Sequence, residues 1–308
     1  MTIHQQKGVA LLSAMVTVSI VAALASGAMW LRWQRVEVEI AARGQAQTAW
    51  LLSGAFAWSR LILSEDGRAN QQAPVDHLGE PWAIEVEESK ISAFLSQDKQ
   101  LLEGDAEVFI AGRIRDAQAK LNVRNLVADG AVDIAFLRVL QRLCSDLNID
   151  LGVLQPLVAA MVSMDDATQS ERSLLPDGVR HLAWLGLSEV TLDKLSPFVT
   201  WLPMPTRLNV NTAPVEVLTA LLPTLGRAQA TSLLLARERN HWTTIAQFKE
   251  AAGSSAYSLP DRLVTVHTNY FTVRGSIRFE GTTQVEEALM HRKVSDVRIV
   301  WRRRVQGL

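Results

Sequence analysis

Few residues in this chain are spaced for chemistry. His77, His181, His241, His267 and His291 follow no metal-ligand spacing, and none lies in a nucleophile motif of the Gly-x-Ser-x-Gly kind. The single cysteine, Cys144, sits between Leu143 and Leu147 in an apolar helical run. That setting suits a small buried residue better than a reactive thiol. Carboxylates gather at Asp165, Asp166 and Glu171. The plainer reading is a solvated loop at a helix end. Arg298, Arg302, Arg303 and Arg304 cluster on a C-terminal strand pattern; they could form a partner patch, and the plainer reading is a solvated strand end. No catalytic constellation emerges, and the chain reads as a non-enzyme without a small-molecule substrate.

The most distinctive string is Leu208-Asn209-Val210-Asn211-Thr212-Ala213-Pro214-Val215-Glu216-Val217-Leu218. Pro214 suits a first helical turn, so Asn211 or Thr212 is expected to cap the helix, and the Asn209 and Asn211 amides to satisfy free backbone groups. Leu222, Leu225, Gly226 and the run to Arg239 then have a helix–hairpin–helix flavour. Such a hairpin can hold a phosphate at a helix N-terminus. Around Gly226, however, only Arg227 is basic, and Leu233-Leu234-Leu235 points to packing. A second, related string runs from Ile114 to Leu126.

The elements that must position these residues begin with an uncharged apolar run, Val9 to Leu31, bounded by Lys7 and Arg32. At ~1.5 Å per residue it is long enough to span a bilayer of ~30 Å. Three readings compete: a cleaved signal peptide, with Ala23-Leu24-Ala25 as its site; a plain anchor; or a short polar leader ending in Gly8 ahead of a retained helix. The helical stripe continues through Ala42, Ala46, Ala49, Ser53, Phe56, Ala57 and Leu61, spaced by three or four. One helix is therefore expected from Val9 to Ser64, breaking at Glu65-Asp66-Gly67. Strand patterns follow at Trp82–Glu87 and Ala106–Arg115, helical texture from Leu121 to Ala256, then strands again at Tyr270–Phe279, Val285–Leu289 and Val297–Trp301. This order predicts an α+β fold: a long N-terminal transmembrane helix and an antiparallel sheet, interrupted by a large all-α insertion. Of the 308 residues, 48% are hydrophobic, and 31 Lys and Arg face 32 Asp and Glu, a net charge of -1. That balance supports a packed core and argues against a polybasic nucleic-acid binder.

Lys7-Gly8-Val9-Ala10-Leu11-Leu12 looks like a prepilin peptidase site, and Leu78-Gly79-Glu80-Pro81-Trp82 and the Asn209–Pro214 string add to the likeness. Together they resemble the K-type minor pseudopilin of type II secretion, GspK, over nearly the whole chain. The resemblance implies cleavage after Gly8, methylation of Val9, and a pilin-like α/β domain carrying the insertion. It implies a leader at 1–8, a membrane part at 9–31, pseudopilin parts at 32–120 and 259–308, and an insertion at 121–258. Most such proteins carry Glu at the fifth mature position, where Ser13 stands here. A membrane-buried Glu needs a partner; a subunit without one can sit at the top of a filament. The expected partners are the I- and J-type minor pseudopilins through the long helix, the prepilin peptidase and the inner-membrane assembly platform. The expected location is the inner membrane, single pass, with the bulk in the periplasm. Family members bind calcium in the insertion; here Asp165, Asp166 and Glu171 would serve, with Met161 and Ser163 standing where the family has an aromatic and an Asp. The alternative is a membrane-tethered helix–hairpin–helix DNA-binding protein of a competence system.

Overall fold

The computed structural model describes residues 3–69, 71–90, 108–128, 130–165, 176–279 and 282–305, excepting the side chains of 3–8 and 165. Helix α1 (Ile3–Ala69) is unbroken over 67 residues, about 100 Å at ~1.5 Å per residue. Its apolar N-terminal half is exposed from Val9 to Leu31. Thr48, Leu52, Phe56 and Leu63 form its buried stripe further along, spaced by four, four and seven residues.

The expected break at Glu65-Asp66-Gly67 does not occur. Glu65 and Arg68 pair at 2.6 Å across one turn and support the helix there. Gly67 serves a different purpose from a break. A Cβ at that position would lie 2.0 Å from the Val294 carbonyl oxygen, so the bare backbone lets a strand hairpin press onto the helix.

Five antiparallel strands form one sheet in sequence order: β1 (Val86–Lys90), β2 (Val108–Asp116), β3 (Tyr270–Phe279), β4 (Thr282–Lys293) and β5 (Asp296–Val305). The Tyr270–Phe279 expectation matches β3 residue for residue. The Trp82–Glu87 expectation does not hold: Pro81–Ala83 is a 3-10 turn and the strand starts at Val86. Proline opens that turn, and the Trp82 ring is drawn into the core, edge-on to Phe271 with centroids 5.2 Å apart. One sheet face packs on α1, joining Leu52 and Phe56 to Ile114, Val273, Ile277, Ala288 and Met290. Gly275 lies under Leu52, where a Cβ would sit 3.4 Å from the leucine methyl.

Between β2 and β3 lies the helical insertion: α2 (Ile134–Asp146), α3 (Leu154–Asp165), α4 (Glu189–Leu195), α5 (Val215–Leu221), α6 (Arg227–Arg239) and α7 (Ile245–Ala252). It has its own core, including Leu140, Leu143, Cys144, Leu192, Leu218 and Phe248. Two short parallel pairings tie its segments together: Leu121–Asn122 with Val199–Thr200, and Leu208–Asn209 with Val264–Thr265.

Candidate functional site

The features that bear on function are the anchor helix and the polar junction that fixes the insertion to its far end. Lys7 and Gly8 fall in the opening turns of α1, and their side chains lie outside the described residues. Val9 starts the exposed apolar face. The Ser13 hydroxyl donates to the Ala10 carbonyl at 2.9 Å within the helix. A serine there satisfies itself locally, whereas a carboxylate would need a donor from elsewhere. Trp30 and Trp33, centroids 5.4 Å apart, mark the end of the apolar span, where aromatic side chains favour the membrane interface.

The junction is built by the Asn209–Pro214 string, and its residues do not cap. The α5 helix begins behind Pro214 with no side-chain cap. Asn209 instead donates from Nδ2 to Asp116 Oδ2 at 2.8 Å and to the Asp76 carbonyl at 3.1 Å. Thr212 donates its hydroxyl to the same Asp116 oxygen at 2.6 Å. Asn211 turns inward, donating to the Trp242 carbonyl at 2.8 Å while its own oxygen accepts from the Trp242 amide at 3.0 Å. Arg237 reaches back from α6 to the Val210 and Ala213 carbonyls, each at 2.8 Å. Ala213 is fully buried. The string is thus a buried polar seam, cheap only because every member is satisfied. Burial pushes the Asp116 carboxyl up to about 6, against the pull of hydrogen bonds from Thr212, Thr268 and Asn209.

Beside the seam, Arg292 of β4 forks to Asp66 at the end of α1 and to Asp76 of the following loop. Its guanidinium also donates to the Thr268 carbonyl at 3.0 Å. Asp76 accepts from the Thr268 amide at 2.7 Å. Glu80 completes the group, accepting from the Trp82 indole at 2.7 Å and the His77 amide at 2.9 Å. Burial, then repulsion from Asp66 and Asp76, raises Glu80 to about 7. Asp66 is raised too, first by burial. Three carboxylates thus crowd around the single Arg292 guanidinium, which pairs directly with two of them. In the sequence Asp66 reads only as part of a helix break and Glu80 only as part of the resemblance, while Asp76 and Arg292 carry no signal at all. They are separated by up to 226 positions, and only the fold assembles them.

Asp165 ends α3, with its side chain outside the described residues. Asp166 and Glu171 also lie outside them, so the calcium reading gains no geometry. The helix–hairpin–helix is present as α5 and α6, but Arg227 pairs with Glu216 at 3.1 Å and Arg237 is spent on carbonyls. The hairpin's own side chains therefore lend the DNA-binding reading no support.

The family model for type II secretion system protein K matches residues 208–267, the stretch that holds the seam. The type II secretion system protein K of Pseudomonas aeruginosa is 27% identical over 327 residues, covering 98% of this chain and 94% of that protein. The GspK–GspI–GspJ complex of enterotoxigenic Escherichia coli contains a chain with the same fold, at a TM-score of 0.65 and 20% identity, covering 86% of this chain and 98% of that one. An apolar N-terminal helix packed along its far half on an antiparallel sheet is the fold this chain shares with the matching chain of that complex. By sequence, the chain is similar to protein K of the type II secretion system, through the family model over residues 208–267 and the Pseudomonas aeruginosa relative over nearly its whole length.

Proposed function

We propose that this protein is the minor pseudopilin at the tip of the type II secretion pseudopilus, where it initiates assembly for protein export across the outer membrane. Its role is structural. The observation that carries the reading is the position of the insertion. The Asp116–Asn209 seam and the Arg292 fork attach it beside Asp66, at the end of α1 opposite the apolar span. Bulk placed there obstructs a further subunit above, while α1 stays exposed along its lower length for neighbours alongside. The Ser13 hydroxyl, satisfied within its own helix, fits a subunit with none above it.

On this reading the prepilin peptidase cleaves between Gly8 and Val9, and Val9 becomes the methylated mature N-terminus. Helix α1 meets the I- and J-type minor pseudopilins and the assembly platform in the inner membrane, and the insertion stands in the periplasm. N-terminal sequencing of the mature chain tests the proposal. Val9 is expected; Ser26 would mean a cleaved signal peptide and Met1 a plain anchor. Gly8→Val should leave the eight-residue leader attached, and normal maturation of that variant would defeat the processing claim.

A further inference from the structure

His77 and His241 stack face to face, with ring centroids 3.7 Å apart and planes 12° from parallel. His77 belongs to the loop after α1, and His241 to the connection between α6 and α7 of the insertion. Each stands one position from a residue that the buried polar network holds. Asp76, before His77, donates its amide to the Val266 carbonyl at 2.9 Å. Trp242, after His241, pairs through its backbone with the Asn211 side chain. The Gly79 amide donates to His77 Nδ1 at 3.1 Å, so that nitrogen carries no proton and the ring is neutral. Gly79 permits the approach, since a Cβ there would sit 3.2 Å from the same nitrogen.

We infer that the His77–His241 stack is an acid-released latch between the loop after α1 and the α6–α7 connection of the insertion. It is closed while the rings are neutral and opens when both take up a proton, and the seam behind it stays shut. Two imidazolium faces at this spacing repel, and a proton on His77 Nδ1 would confront the Gly79 N–H. Burial first and His241 second hold His77 below the ordinary histidine range, with Asp76 pulling the other way. The remaining charges nearby are already engaged or lie to one side. Asp76 is paired with Arg292, and Glu80 accepts from the His77 amide and the Trp82 indole. Helix α6 ends in Glu238 and Arg239, a turn before His241. On the returning strand His267 lies 2.9 Å from the Thr265 hydroxyl, and Asp76, Arg207 and Arg292 act on it. A folded value below the unfolded one makes the latch fully effective above pH 6.5 and weakens it as pH falls below. Asp116 and Glu80 act in the opposite sense, so melting of the whole chain mixes the two effects and a local readout isolates the latch.

Hydrogen exchange of the full chain in neutral detergent micelles reads the latch, with exposure times rescaled for the pH dependence of the intrinsic rate. Between about pH 7.5 and about pH 5, either side of the ordinary histidine value, peptides covering 71–80 and 240–245 should lose protection by about tenfold, one pKa unit's worth. The peptide covering 208–214, in the seam, should keep its protection. His241→Phe retains a ring over His77 without a second charge and should abolish the change. If that variant folds poorly, His77→Phe makes the same test from the other side. His181→Gln, outside the latch, should keep the full response. Equal protection at the two pH values in the parent chain, a loss shared by 208–214, or a response that survives in the Phe variants would each overturn the inference, the last by moving the titration to His267.

Discussion

Asn209 and Asp116 stand 93 positions apart and meet at 2.8 Å, the amide nitrogen donating to the carboxylate. Asn209 belongs to the insertion and Asp116 ends a strand of the sheet, so one hydrogen bond sits where the two cores join. Removing the donor leaves a fully buried acceptor short of a partner. Asn209→Ala should therefore cost about 2–3 kcal/mol. Denaturant unfolding followed by tryptophan fluorescence measures it. A cost below the error of that measurement would show that Thr212 alone satisfies the carboxylate.

The raised carboxyls predict a pH profile with a definite sign. Asp116 moves from 3.8 to about 6 and Glu80 from 4.5 to about 7 on folding. The folded state holds these protons more tightly than the unfolded chain. Their contribution is complete below the unfolded values and is lost as pH climbs through the folded ones. Stability should thus decline between about pH 4 and 7. Asp116→Asn should flatten the lower part of that slope and Glu80→Gln the upper part. Melting temperatures at half-unit intervals would reveal both, and a rise across the window would contradict the assignment.

Arg292 is the cation for Asp66 and Asp76 in a nearly dry site. Arg292→Met strands both carboxylates, for a loss of about 3–5 kcal/mol. Arg292→Lys should recover only part of it, because an ammonium cannot reproduce the fork. Limited proteolysis should show new cleavage in the loop that carries Asp76 for the Met variant. Intact loops in both variants would mean that the fork is dispensable.

Two neighbouring residues of α1 should behave oppositely. Leu52 is fully buried under the sheet, and Leu52→Ala should cost about 2–5 kcal/mol. Trp50 is 80% exposed, so Trp50→Ala should change stability by under about 0.5 kcal/mol. Thermal melts of the two variants in the same detergent make the comparison. Its outcome also separates residues that hold this subunit together from those left for neighbours.

What could be read from the sequence was whatever repeats at short range. The apolar run from Val9 to Leu31, the alternation of Tyr270–Phe279 and the proline-punctuated helical block each announce an element, because side chains recur every 3.6 or every two residues. The family resemblance of Lys7-Gly8-Val9 and of the Asn209–Pro214 string was equally open to a reader. The role of that string was not. Its asparagines looked like helix caps because capping is the local use of such residues, yet the fold offered Asp116 and Trp242 and the amides turned inward. Gly67 looked like a break for a similar reason, and Val294, far off in sequence, made it a contact point instead. The Arg292 fork was decided wholly by tertiary structure, since strand register and helix docking bring together groups that no local period relates. Burial then supplied the rest: out of water, an unmet charge or donor is costly, so the partners the fold provides determine what each polar residue does.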